Sequence, residues 1–395
     1  MNIIFICGAL EPGRNGVGDY TRKLAAELAG LGHKAWLVAL NDGSASPDTA
    51  PPPHSMLEGF NCVGVDGLRC ENQTESGASL PVIRMHPRIP WTSRMRMLQS
   101  VLRQAQPTHT SLQFVPFAYS AKGLPFRLAR DLGNLEGMGQ RHLMVHELWV
   151  GHGTALDLKG RILASLQKQV IRLLFESLAP HCTHSSLPEY LEKIQSMDVP
   201  CKGLPIFSNF TPQSPPIALE APPPVLRVGL FSQFEDKPEL ADYLSRLAAD
   251  IERRQCGMEL VCIGGKESAS ERLCGRLREC LPTWVRIRQT GFLGADGLDR
   301  ELRDCHLGLS PVPRHASGKS GSVAAFLAYG KGVALPCVHP GYSRDQFGFI
   351  DGSLETACAR EASVDAVLEA SHGALKSGRH LSVSAVAKKF LQDLE

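Results

Sequence analysis

The chain has 395 residues, 43% hydrophobic and 21% charged, and its 42 basic and 40 acidic side chains leave a formal net charge of +2. That length exceeds what one hydrophobic core usually serves, so two domains are expected. The near-balance of charge excludes a general nucleic-acid or membrane-surface role, and no stretch approaches the roughly 20 apolar residues of a membrane-spanning helix.

The opening residues Asn2–Cys7 read as a strand and carry no basic leader, which points to the cytoplasm. Twelve cysteines stand singly, without a CxxC pair or a Cys/His cluster at zinc spacing. That usage suits free, mostly buried thiols rather than disulfides or a metal site. After the first strand comes a glycine-studded loop with Gly8, Gly13, Gly16 and Gly18. Leu24, Ala25, Leu28 and Leu31 then share one helical face, Gly30 and Gly32 end the helix, and "HKAWLVAL" is the next strand. This order begins an open parallel sheet with helices on both faces.

Residues Asp42–Leu80, rich in Pro, Ser, Gly and Asp, are expected to form a long loop with one strand at "FNCVGV". Strands follow at "PVIRMH", "HTSLQFV", "HLMVHE" and "HCTHSS", with helices over Arg94–Gln104, Lys122–Asp131, Leu156–Leu178 and Leu187–Gln195. "TPQSPPIALEAPPPV" holds six prolines in fifteen residues and reads as an extended linker. Beyond it the alternation restarts with "LRVGLF", "MELVCIGG", "WVRIRQTGF", "HLGLSPV" and "GVALP" as strands, separated by helices starting at Glu239, Ser268, Asp296 and Ser320. The expected organisation is an N-terminal Rossmann-like domain over 1–212, a second over 213–380, and a helix over 381–395 that packs back on the first domain. That helix carries Val383, Val386, Phe390 and Leu394 on one face.

Ligands of open α/β sheets bind beyond the carboxyl ends of the strands, where helix-start amides attract anions. The glycine loop before the first helix is one such place, although it lacks the offset of a dinucleotide fingerprint; a flexible turn is the alternative. "PRHASGKSGSVAAFLAYG" is another: Ser320, Gly321 and Ser322 fall at a helix start, and Lys319 adds a cation suited to phosphate. The alternative there is a plain N-cap serine beside a solvated lysine. A Walker A loop is disfavoured because Pro313 stands where its first glycine belongs. His146 and Glu147 close the "HLMV" strand, and Lys237 follows the first strand of the second domain.

In this order and on these elements, the motifs resemble the family-four retaining glycosyltransferases of the GT-B fold, whose architecture is α/β with two Rossmann-like domains facing a cleft. The resemblance runs from residue 2 to about 336 and rests on "NGVGDYTRKLAAELAGLGHKAWLVAL", "SLQFVPFAYSAKGLP", "VHELW", "THSSLPEYLEKI", "LPIFSNF" and "GKSGSVAAFLAYGKGVALP". It implies that Gly16 approaches the donor diphosphate and the acceptor. It implies that His146 orients the donor sugar and that Lys237 neutralises the leaving diphosphate. Lys319, Ser320, Gly321 and Ser322 would meet the phosphates, and Gly291 and Phe292, after Thr290, the nucleotide base. The implied co-substrate is a nucleotide sugar, with no metal or other cofactor, and the partner is an unknown glycan, lipid or small-molecule acceptor.

Three positions depart from the family pattern. The paired glutamates eight residues apart are Ser317 and Ala325 here, and the arginine five residues before the lysine is Ser232. These departures keep a second expectation open: a catalytically silent GT-B protein that binds a nucleotide sugar or a partner protein. A non-hydrolysing epimerase on the same fold is a further alternative, although its catalytic carboxylates are not apparent.

Overall fold

The computed structural model describes residues 1–45, 66–151 and 156–395, and divides the chain into two compact units. The first holds Met1–Leu204 and Ala387–Glu395, the second Pro205–Val386.

The first unit begins with β1 (Asn2–Cys7), α1 (Gly16–Gly30), β2 (Lys34–Ala39), β3 (Leu68–Glu75), β4 (Ala78–Met85) and α2 (Trp91–Ala105). It continues through β5 (His109–Phe114), α3 (Pro116–Tyr119), α4 (Phe126–Leu132), β6 (Gln140–Val145), α5 (Leu158–Leu178), β7 (Cys182–Ser185), α6 (Pro188–Gln195) and β8 (Lys202–Gly203). Its sheet has the order β3-β4-β2-β1-β5-β6-β7-β8, parallel throughout except for β3 against β4. Ile3, Ile4, Phe5 and Ile6 are each fully buried. Such a continuous apolar run is what a strand covered by helices on both faces requires.

The second unit comprises β9 (Val225–Phe231), α7 (Pro238–Arg253), β10 (Gly257–Ile263), α8 (Glu267–Cys280), β11 (Arg286–Gln289), α9 (Ala295–Asp304) and β12 (Leu307–Leu309). After a 3₁₀ turn over Arg314–Lys319 come α10 (Gly321–Ala328), β13 (Gly332–Ala334), α11 (Val364–Ser377) and the first turn of α12 (Val383–Leu394). The strand order β11-β10-β9-β12-β13 is parallel. Phe326 of α10 sits on the glycines of two strands: a Cβ on Gly308 would come within 2.3 Å of its ring, and one on Gly229 within 3.1 Å. Full burial of that ring contributes about 1.5–3 kcal/mol and draws α10 close onto the sheet.

Three expectations need amendment. The stretch Asp42–Leu80 is not all loop, because β3 and β4 form a hairpin whose turn, Ser76–Gly77, has φ of 48° and 82°. Two positive φ values make the tight turn that matches strand twist. The strand expected at 60–65 lies outside the described residues. The cysteines are not all free: among the described residues ten are, but Cys70, buried on β3, is disulfide-bonded. A bridge outside CxxC spacing leaves no signature in sequence. The Pro-rich stretch belongs to the second unit and is strapped onto it, Gln213 donating its amide to Asp299 and Leu219 donating to Ser371.

Candidate functional site

In the first unit the strand order reverses between β1 and β5, the switch point where an open α/β sheet offers a crevice. The glycine loop after β1 lies there and is clamped from both sides. The buried carboxylate of Asp42 accepts from the Leu10 amide at 2.9 Å, and the buried guanidinium of Arg22 donates to the Leu10 carbonyl at 2.8 Å. Arg84 pairs with Glu11 at 3.0 Å. The four glycines have different reasons to be glycine. A Cβ on Gly8 would meet that of Ala118 at 2.6 Å, one on Gly18 would meet the Ala9 carbonyl oxygen at 2.5 Å, and Gly13 has a φ of +71°. Gly16, at the first helical position of α1, has neither reason: its Cβ would enter open space.

His146 follows directly on β6 and is 8% exposed. Its ring stands edge-on to Tyr20, one turn into α1, at 5.2 Å, and its Nε2 lies 2.9 Å from Oε1 of Gln113. Burial pulls its pKa down to about 3, so the imidazole is neutral at physiological pH. The structure thus brings His146 and the start of α1 together through Tyr20.

In the second unit the reversal falls between β9 and β12. Lys237, the N-cap of α7, reaches across it: Nζ donates to the Pro311 carbonyl at 3.0 Å and pairs with Glu235 at 2.9 Å. The chain leaves β9 and β10 through left-handed residues, Ser232 after β9 (φ 65°) and Gly264 and Gly265 after β10 (φ 65° and 72°). A Cβ on Gly265 would lie 2.3 Å from the Phe234 ring.

Ser320 caps α10, its Oγ accepting from the Val323 amide at 3.4 Å and lying 3.0 Å from the Ser322 hydroxyl. The Ala324 amide bonds the Ser320 carbonyl, so the Gly321 and Ser322 amides are the two that the helix itself cannot satisfy. Gly321 is exposed with open space around it, like Gly16, whereas Ser322 is 8% exposed. Lys319 ends the 3₁₀ turn and is exposed. After β11, Gly291 has a φ of +64° and Phe292 is 93% exposed. Lys237, Gly291, Phe292 and Lys319–Ser322 all follow carboxyl ends of parallel strands and therefore line one edge of the sheet.

The departing positions are accounted for internally. Ser317 is buried and its Oγ accepts from the Gly348 amide at 3.1 Å, while Ala325 is fully buried among Val323, Phe326 and Leu298. Residues that sequence reasoning passed over support His146 from behind: Gln113 and Ser111 on β5, then His142, His184 and Asp393. Ser111 and Gln113, two residues apart in "HTSLQF" and therefore on one face of the strand, were the available signal.

No protein-family model matches the chain, and no curated protein matches it in sequence. Solved structures do. A glycosyltransferase from Rickettsia africae aligns over 100% of this chain and 97% of its own, at a TM-score of 0.55 and 11% identity. WaaG, a glycosyltransferase involved in lipopolysaccharide biosynthesis, aligns over 98% of both chains at a TM-score of 0.51 and 10% identity. The N-terminal domain of Candida albicans trehalose-6-phosphate phosphatase aligns over 100% and 96%, at a TM-score of 0.56 and 10% identity. The fold is therefore that of the GT-B glycosyltransferases, an α/β chain of two Rossmann-like domains. Likeness at such low identity carries the fold and not the reaction.

Proposed function

We propose that this protein is a nucleotide-sugar-dependent glycosyltransferase that acts in the manner of the family-four retaining enzymes its sequence resembles. The observation that carries the reading is the Lys237 ammonium spanning the β9–β12 switch point onto the Pro311 carbonyl. It places a cation where such a sheet receives an anion, on the same edge as the start of α10.

In this reading the donor diphosphate lies against the Gly321 and Ser322 amides, with Ser320, Lys319 and Lys237 completing the cradle. Gly291 and Phe292 meet the base. Within the first unit, Gly16 leaves the start of α1 open to a ligand, and the neutral ring of His146 is suited to take a hydrogen bond from a hydroxyl. As the anomeric carbon–oxygen bond breaks, positive charge grows on the sugar and negative charge on the diphosphate. Each amide or cation aimed at that charge lowers the barrier by about 3 kcal/mol. The cradle supplies its own positive field, so the reading requires no metal and no cofactor beyond the donor. The acceptor, a glycan, lipid or small molecule, is taken by the first unit.

The test is a thermal-shift screen of UDP-, GDP- and ADP-sugars followed by assay of donor breakdown. Stabilisation by one donor, with its slow hydrolysis, supports the reading; indifference to all three overturns it. A second reading is favoured by Ser317 and Ala325, whose side chains are engaged internally where the family places carboxylates. It is a catalytically silent GT-B protein, and binding without any turnover would establish it.

A further inference from the structure

A continuous chain of hydrogen bonds runs through the first unit from the carboxyl-terminal helix to His146. It begins at the Asp393 carboxylate, which lies 3.1 Å from Nε2 of His184. Nδ1 of His184 lies 2.9 Å from Nε2 of His142, and Nδ1 of His142 lies 2.7 Å from the Ser111 hydroxyl. Nε2 of Gln113 lies 2.7 Å from that hydroxyl, and its Oε1 lies 2.9 Å from Nε2 of His146. Ser111 and Gln113 are two apart on β5, and Ser111 stands in register with His142 on β6, so the groups share one face of the sheet. Phe390 of α12 covers that face, edge-on to His142 at 5.0 Å and stacked on Phe5 at 6.0 Å.

The chain has one self-consistent polarity. Asp393 is held as an anion by Lys202 and Lys389, each 3.0 Å away, and can only accept. His184 therefore carries its proton on Nε2. Burial keeps both His184 and His142 neutral, so Nδ1 of His184 is a lone pair and His142 must donate from Nε2. Nδ1 of His142 is then also a lone pair, and the Ser111 hydroxyl gives it its only proton. Ser111 can now only accept, which forces Gln113 to turn its amide nitrogen toward Ser111 and its oxygen toward His146. His146 must then donate from Nε2.

We infer that Asp393 is a positioning residue for His146: through this chain it fixes His146 as the Nε2–H tautomer and presents Nδ1 as a hydrogen-bond acceptor. The ligand group that meets Nδ1 must be a donor, such as a sugar hydroxyl or an amide N–H, and a carboxylate is refused. For the donor sugar this rests on the glycosyl-transfer reading, in which the group at Nδ1 is a hydroxyl. The tautomer itself rests only on the hydrogen bonds.

The test is long-range ¹H–¹⁵N correlation on the full chain labelled at histidine, which reads the tautomer of each ring without any ligand or assay. His146, His142 and His184 are expected as Nε2–H tautomers. Ser111→Ala cuts the chain, and is expected to leave His142 and His184 unchanged while His146 loses its single tautomer. Asp393→Asn, which presents either a donor or an acceptor, is expected to mix the tautomers of all three. A merely structural Asp393 would lower stability without moving the His146 signals. His146 as Nδ1–H in the native chain would overturn the inference, as would His146 signals unmoved by both substitutions. So would zinc uptake that replaces the His142–His184 hydrogen bond with ligation by His142, Cys182 and His184, whose donor atoms lie within 4.8 Å of one another. The native-chain spectrum decides even where a variant fails to fold. Failure of the nucleotide-sugar screen would leave these signals untouched.

Discussion

The ammonium of Lys237 lies 3.0 Å from the Pro311 carbonyl and 2.9 Å from the Glu235 carboxylate, joining the loops that follow two adjacent strands. Neither partner is a demanding one: a carbonyl and an exposed carboxylate are both weaker claims on the cation than a diphosphate. Lys237→Ala is therefore expected to weaken nucleoside diphosphate binding by roughly ten- to hundredfold, about 1.5–3 kcal/mol, with little change in stability. Calorimetry with and without a chelator checks this. Affinity that vanishes with magnesium removal would move the charge neutralisation from lysine to metal.

Gly321 separates a phosphate-binding helix start from an ordinary one. It is exposed, has open space at its Cβ position, and has no positive φ. A larger residue costs the fold nothing and gains up to about 1 kcal/mol of helix propensity. Gly321→Leu is expected to keep or raise the melting temperature while reducing nucleoside diphosphate affinity at least tenfold. Unchanged affinity would place the phosphates elsewhere.

His146→Ala is expected to leave nucleotide affinity nearly intact and to slow transfer at least tenfold, about 1.4 kcal/mol in the barrier. The ring touches the sugar in this reading, not the nucleotide. Turnover equal to that of the native chain would return His146 to a packing role beside Tyr20.

Phe292 presents 93% of its surface to solvent at the end of β11, next to a left-handed glycine. No burial is lost on truncation. Phe292→Ala should spare stability and cost about 1–3 kcal/mol of nucleotide affinity if the ring stacks on a base. Equal affinities for the two proteins would remove it from the site.

Acid should loosen the first unit. His146 and His184 have folded pKa values pulled down to about 3 and about 4 by burial, against about 6.5 when unfolded. Between those limits the unfolded chain binds more protons, so their contribution is complete above pH 6.5 and falls as pH drops. The expected slope is about 1.4 kcal/mol per pH unit for each such histidine. Urea denaturation at pH 7 and pH 5 measures it, and equal stabilities would contradict the neutral-ring assignment.

The alternation of strands and helices was legible because parallel strands covered on both faces read as apolar runs: Ile3–Ile6 could be little else. The start of α10 was legible too, as glycine and serine ahead of such a run, whereas α1 begins at Gly16, inside what read as a loop before a helix at Tyr20. The edge hairpin was not, since "LRCENQTE" is polar and its turn is Ser-Gly rather than the commoner Asn-Gly. Nor were the partners of His146. Asp393 lies 209 residues from His184, and only three-dimensional packing joins them. Sequence placed His146 at the carboxyl end of its strand, but not the hydrogen-bonded groups behind it.

The assignment of Ala387–Glu395 to the first unit has a consequence for the order of events in synthesis. The face of the sheet formed by Phe5, His142 and His184 is closed by Phe390, so it stays uncovered while the whole second unit is being made. The second unit, continuous from Pro205 to Val386, is free to fold first as an intact unit, reversing the usual N-to-C order. A released chain truncated before Phe390 would then carry a folded second unit and an open first one, a distinction that limited proteolysis would read directly.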